Sequence, residues 1–282
     1  MHHTNAVRTS WLKLTATATT VLALMLSMTN SVGATHLINY QSVPFTPDEI
    51  SNNWVVDRAT PSGGHGSVSY ADRDNVMEMN IDVENRSELG GFYFTEGLQR
   101  DLADETFALS NDLFVESSWS EIDVRAGLWG VGNNAGDDVS AYPITEFTTA
   151  GEGDFTGWRV WDGVLGGWTN LPEVEYKSDE WNSLQIILNN DTLMFDHYIN
   201  GELVAATTAG DSVDFGSIIL NNFNYGSEAS NYSVHWSEFA FATDIYESPV
   251  SKNECKKGGY ETFGFSNQGQ CIQYVNTGKD SR

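Results

Sequence analysis

The sequence predicts an all-β protein, a β-sandwich followed by a short disulfide-closed C-terminal tail. Three observations carry that reading. About ten short segments alternate apolar and polar residues at near-regular spacing, with turn residues between them. Asn200-Gly201 joins two such runs, and the pair suits a type I′ hairpin because both central residues need positive φ. Beyond the N-terminal leader, no helical period of useful length is found.

The leader comes first. His2, His3, Arg8 and Lys13 give a polar, cationic start, and Leu14 to Met28 give an apolar stretch too short to span a membrane comfortably. Val32-Gly33-Ala34 fits a small-x-small cleavage site, so residues 1–34 read as a secretory signal peptide. Val76 to Asp82 then alternates as a half-buried strand should. Gly91 to Thr95, Thr106 to Val115, Val124 to Val131 and Gly157 to Trp161 follow. The series continues with Trp181 to Leu188, Thr192 to Asn200, Glu202 to Thr208, Ser217 to Phe223 and Tyr232 to Ala242. The sandwich is therefore assigned to residues 35–246. Glu247-Ser248-Pro249-Val250-Ser251 is a linker signal, and residues 247–282 form the tail. The two cysteines, Cys255 and Cys271, both lie there, and an even, local pair in an exported protein reads as a disulfide.

Charge narrows the partners. Fourteen basic against 39 acidic residues give a net charge of −25, and every acid lies after Ala34. Such a field repels phosphate backbones and anionic membranes, so nucleic acid is excluded as a partner. A strongly anionic polysaccharide looks awkward for the same reason, unless calcium bridges the two. No later stretch has the ~18 apolar residues of a spanning helix, so no transmembrane segment is expected in the mature chain.

Certain residues carry resemblances. The hairpin Phe195-Asp196-His197-Tyr198-Ile199-Asn200-Gly201-Glu202-Leu203-Val204 follows Glu180-Trp181-Asn182-Ser183-Leu184-Gln185-Ile186, and Val234-His235-Trp236-Ser237-Glu238-Phe239 closes the pattern. Together they resemble the concanavalin A-like jelly rolls, the lectin, glucanase and laminin-G-like sandwiches, a likeness that specifies fold better than function. The tail, Lys252-Asn253-Glu254-Cys255-Lys256-Lys257-Gly258-Gly259-Tyr260 and then Asn267-Gln268-Gly269-Gln270-Cys271, resembles a short segment on many exported bacterial proteins. That resemblance implies a bacterial, extracellular setting.

A third resemblance lies in Trp119-Ser120-Glu121-Ile122-Asp123-Val124-Arg125-Ala126. It is similar to the catalytic strand of glycoside hydrolases that cut laminarin, agarose and lichenan, of the form Glu-Ile/Leu-Asp-Ile/Val-(x)-Glu. The resemblance implies Glu121 as nucleophile and Asp123 as its helper, but Arg125 and Ala126 stand where the acid/base Glu belongs. Read as a strand, the segment places Trp119, Glu121, Asp123 and Arg125 on one face. Arg125 would then pair with Asp123 or Glu121. Asn85-Arg86-Ser87-Glu88-Leu89 is faintly similar to a strand of alginate lyases, without that family's other elements.

Aromatic residues suggest binding. Trp119, Trp129, Trp158, Trp161 and Trp168 cluster where such a fold places its ligand face, and flat sugar faces stack on exposed indoles. Core packing is the competing account. Trp158 and Trp161 cannot share a face of a regular strand, and Trp181 and Trp236 read as core. Asn133-Asn134-Ala135-Gly136-Asp137-Asp138 offers the hard oxygens that calcium favours, with Asp137 and Asp138 as ligands, and it also has the composition of a turn. No other cofactor is expected. The sequence thus points to a secreted, non-catalytic glycan-binding or matrix-interaction protein. A glycoside hydrolase or polysaccharide lyase of the same fold is one alternative, and a structural surface protein is another.

Overall fold

The computed structural model describes residues 37–86, 95–151, 153–223, 231–246 and 248–279. The leader, the expected strand at 91–94, residues 87–89 of the lyase-like stretch and Glu247 of the linker lie outside the described residues. In chain order the first strands are β1 (Leu37–Ile38), β2 (Gln41–Ser42), β3 (Trp54–Asp57), β4 (His65–Tyr70), β5 (Arg73–Ile81) and β6 (Thr95–Asp101). Next come β7 (Ala108–Val115), β8 (Arg125–Asn133), β9 (Val139–Ala141), β10 (Ile144–Gly151), β11 (Phe155–Asp162) and β12 (Gly167–Asn170). The series ends with β13 (Glu180–Asn189), β14 (Met194–Ile199), β15 (Glu202–Thr208), β16 (Asp214–Phe223), β17 (Tyr232–Ala242) and β18 (Ile245–Tyr246).

Two antiparallel sheets face each other. The front sheet runs β12-β11-β10-β8-β16-β6-β3, with β9 alongside β8. The back sheet runs β15-β14-β13-β7-β17-β5-β4, with β2 alongside β17. Strict alternation sets the inner face. In β13, Leu184, Ile186 and Leu188 are buried while Ser183, Gln185 and Ile187 are half-buried on the other side. Leu98, Ala126, Leu128, Phe147, Trp158 and Leu220 answer them from the front sheet. Each such large side chain contributes ~1.5–3 kcal/mol on burial.

Among the described residues, three short helices occur where the sequence suggested none. Helix α1 (Pro47–Asn53) starts at Thr46, whose Oγ1 accepts the Glu49 N–H at 3.1 Å, with proline in the first turn. Helix α2 (Gly259–Thr262) and helix α3 (Gln268–Thr277) belong to the tail. Asn267 caps α3 through the Gln270 N–H, and Gly278 ends it at φ 67°. These helices escape a periodicity reading because their apolar stripes are one to three turns long. Cys255 and Cys271 are disulfide-bonded, and with Phe265 they form a small core of their own. Among the described residues, no helix is long and apolar enough to cross a membrane.

The segment from Trp119 to Trp129 is not one strand, which corrects the expectation. Ser117–Glu121 forms a 3-10 turn, and β8 begins only at Arg125. Serine hydroxyls and a nearby carboxylate take over the backbone here. Ser120 Oγ donates to the Ser117 carbonyl, and the Ser117 N–H donates to Asp179. Trp119 therefore turns inward, against Phe147 and Tyr232. Trp236 is core as expected. Trp181 is not, since it lies half-buried against Phe114 and beneath Arg73, on the outer side of the back sheet.

Candidate functional site

The register of the front sheet aligns two rows of side chains across its outer face. One row is polar and glycine-rich. It runs Asp57, Gly97, Asn221, Gly127, Glu146, Arg159 and Asn170, each paired with the next across neighbouring strands. The adjacent row is apolar, with Val55, Gln99, Ile219, Trp129, Ile144, Trp161 and Trp168 in sequence. Directly opposed residues on antiparallel strands share a face. A polar floor thus runs beside an aromatic wall.

Between them lies a cleft of about 450 Å³, also lined by Arg58, Arg125 and Tyr142. Arg159 and Glu146 form its floor. Arg159 Nε and Nη2 both donate to Glu146 Oε1, at 2.8 and 2.5 Å, and both residues are buried. The guanidinium also covers the Trp168 ring at 3.9 Å from its centroid, and Trp168 packs against Trp161 at 5.4 Å. Arg125 extends from the first residue of β8 and donates Nη2 to the Ala150 carbonyl at 2.8 Å. Burial lowers its pKa most. Glu146 opposes that shift, while neighbouring Arg159 adds to it. At the far end Arg58 covers Trp129 and holds Asp57 at 2.6 Å. Burial nevertheless raises the Asp57 carboxyl above its ordinary value. Asn221 Nδ2 donates to the same Asp57, whereas its Oδ1 is buried without a hydrogen-bond partner.

Room for this arrangement depends on glycine at 127. A Cβ there would sit 2.6 Å from Trp129 Nε1, so any side chain pushes the indole out of its place in the wall. Gly127→Ala is expected to weaken ligand binding roughly tenfold while costing under ~2 kcal/mol of stability. Titration and urea unfolding of the same preparation check both numbers. Unchanged affinity would show that the Trp129 position does not matter.

The rim bearing Trp168 is fastened from behind. Asp162, the last residue of β11, accepts the N–H groups of Val164, Leu165 and Thr208. Against the upward push of burial, these donors hold its carboxyl below the usual range. A second groove of about 280 Å³ shares Arg58 and Tyr142 with the first and reaches Asp101, Asn133 and Asp137.

The candidates from the sequence are dispersed by the fold. Arg125, Trp161 and Trp168 meet in the cleft. Trp119 and Trp158 are 1% and 0% exposed and belong to the core, so neither can stack on a ligand. Glu121 is exposed at the end of the 3-10 turn, and Asp123 precedes β8, so neither lies in the cleft. Asp137 and Asp138 lie in the turn between β8 and β9, where Asn134 Oδ1 accepts the N–H groups of Gly136 and Asp138. Among the described residues, no three or more His, Cys, Asp or Glu side chains converge as a metal site. Sequence reasoning missed Glu146, Arg159, Asn221 and Arg58. All but Arg58 lie on the polar row, and only the register reveals that row.

No family model matches the chain, and no curated protein matches it at a significant level. Several solved structures are similar to this chain at low identity. A Bacillus licheniformis beta-glucanase is similar at 11% identity and a TM-score of 0.46, over 74% of this chain and 99% of its own. A GlcNAcα1-4Gal-releasing endo-β-galactosidase from Clostridium perfringens is similar at 11% identity and a TM-score of 0.49, over 72% of this chain and 61% of its own. A sialidase is similar at 10% identity and a TM-score of 0.48, over 77% of this chain. The chain spans about a fifth of that sialidase's length (19%).

Proposed function

We propose that this chain is an exported protein that binds a polysaccharide in the front-sheet cleft. The observation that carries the reading is the pair of rows. An aromatic wall of Trp129, Trp161 and Trp168 lies two residues along the strands from buried hydrogen-bonding groups on the same face. Sugar rings present flat apolar faces and a girdle of hydroxyls, so they need both surfaces at once. The C-terminal disulfide supports an oxidising, extracellular setting. Trp161→Ala is expected to weaken glycan retention tenfold or more, while the exposed tail residue Lys257→Ala changes nothing. Affinity electrophoresis across a polysaccharide panel measures this, and retention that survives Trp161→Ala would remove the site.

Cleavage of the bound glycan is the second reading, and Glu146 on the cleft floor is what favours it. Two-carboxylate hydrolysis places its groups about 5–5.5 Å apart for retention and roughly 6.5–9.5 Å apart for inversion. Asp57, the other acid of the row, is four strands from Glu146, roughly 19 Å between backbones. Glu146 therefore has no second carboxylate at working distance in the row. Turnover is tested by assaying reducing ends and unsaturated products together. Activity abolished by Glu146→Gln in a folded protein would establish catalysis, and no turnover on any retained glycan would leave binding alone.

A further inference from the structure

The sheet face that carries the cleft continues past the aromatic wall. The second groove, of about 280 Å³, starts where the cleft stops and shares Arg58 and Tyr142 with it. The register fixes its direction. On β8 the outward positions advance from Gly127 in the polar row, through Trp129 in the wall, to Val131 and Asn133. Ser217 pairs with Val131 on one side and Asp101 on the other, so these residues form the next row of the same face. From Gly127 to Asn133 the strand advances ~20 Å.

The lining changes character along that path. Indoles give way to groups that hydrogen-bond. Strand β16 bulges at Gly216, and the Asn133 amide lies across that glycine in the space a Cβ would fill. Ser217, just after the bulge, is 5% exposed and lines the groove. Among the described residues, neither the Ser217 hydroxyl nor the Asn133 amide has a hydrogen-bond partner. A sugar hydroxyl donates and accepts at once, so it can satisfy either. The charged side chains of the groove are three carboxylates, Asp57, Asp101 and Asp137, and one guanidinium, Arg58. Carboxylates accept from hydroxyls and repel acidic sugars.

We propose that the cleft and the second groove form one channel along the strands, and that it binds a linear, uncharged polysaccharide over several successive sugars. The aromatic wall stacks one part of the chain, and the groove reads the hydroxyls of the next. The proposal rests on the glycan-binding reading above.

The test measures affinity against chain length. Oligosaccharides of two to ten residues, cut from laminarin, lichenan and agarose, are titrated by calorimetry against the full exported chain. A polyuronate series of the same lengths is run at the same ionic strength. In at least one neutral series, affinity is expected to rise tenfold or more from the shortest member that binds to members longer than ~20 Å. Asn133→Ala combined with Ser217→Ala is expected to cut that gain to twofold or less, whereas the tail variant Lys257→Ala keeps it whole. Asn133→Ala alone decides the matter if the double variant fails to fold. A gain that survives these substitutions would overturn the channel. So would affinity that stays flat with length yet is still weakened by Trp161→Ala, and in that case binding in the cleft stands. An equal gain in the polyuronate series, or retention of that series alone, would overturn the assignment of an uncharged chain. Failure to retain any series would overturn the glycan-binding reading and this inference with it.

Discussion

Replacing Arg159 by Met, with Glu146 left in place, is expected to destabilise the protein by about 3–5 kcal/mol. Arg159 is 3% and Glu146 6% exposed, so removing the guanidinium leaves a polar side chain without its partner in a poorly hydrated site. Glu146→Leu alone strands the guanidinium and is expected to cost a similar amount. The double variant, Glu146→Leu with Arg159→Met, replaces the pair by apolar side chains of comparable size. It is expected to return to within ~1 kcal/mol of the parent, because desolvating two charges nearly cancels their attraction. Urea unfolding of the four proteins gives the coupling energy as a double-mutant cycle. If the two single costs simply add in the double variant, the pair is not the coupled unit described here. The same four proteins separate fold from function. The double variant is expected to fold and yet lose glycan binding, because Trp168 loses the guanidinium that covers its ring and the floor loses its donors.

This pair also marks where the sequence stops being readable. Strands such as β13 and β14 alternate clearly because one face meets the core and the other is partly open to water. Strand β10 does not. Ile144, Thr145, Glu146, Phe147 and Thr148 are all buried, since its outer face is roofed by the cleft side chains and its inner face carries a hydrogen-bonded threonine. The period vanishes on the strand that matters most. Position 125 shows the converse. Its Arg was legible as a departure from a catalytic strand, but the serine-rich turn before it rotated Glu121 and Asp123 away from the face they were assigned to. Trp158 and Trp161 divided between core and cleft as two-residue periodicity requires. Which of them faced outward depended on register, which a single strand does not encode.

Lowering the pH from 7.5 to 5 is expected to remove about 2 kcal/mol of stability through one residue, His197. His197 is fully buried on β14, where Nδ1 meets Thr145 Oγ1 of the front sheet at 2.8 Å and Nε2 meets Thr207 Oγ1 of β15 at 2.9 Å. Two hydroxyls satisfy a neutral imidazole in either tautomer, since each can donate or accept. Neither can neutralise an imidazolium. Burial pushes the His197 pKa down to about 3, against a weak opposing pull from Asp162. The folded value lies below the unfolded one, so the unfolded chain takes up the proton first. The stabilisation is complete above the unfolded value of about 6.5 and is lost progressively as pH falls toward 3, reaching about 4 kcal/mol there. Depressed carboxylates such as Glu116, held low chiefly by its hydrogen bond with His235, weaken the fold only below the ordinary carboxylate range. Between pH 7.5 and 5 the comparison with a His197 variant separates its share from those of His65, whose pKa burial also lowers, and of the raised Asp57 carboxyl. His197→Gln cannot titrate and is expected to flatten the stability curve across that window, at a fixed cost from imperfect hydrogen bonds. Parallel curves for the parent and the variant would refute the assignment. Thr145 precedes Glu146 on the same strand, so protonating His197 loosens the backbone beneath the cleft floor. Glycan affinity is expected to fall with stability as the pH drops toward 3, and to fall less in His197→Gln.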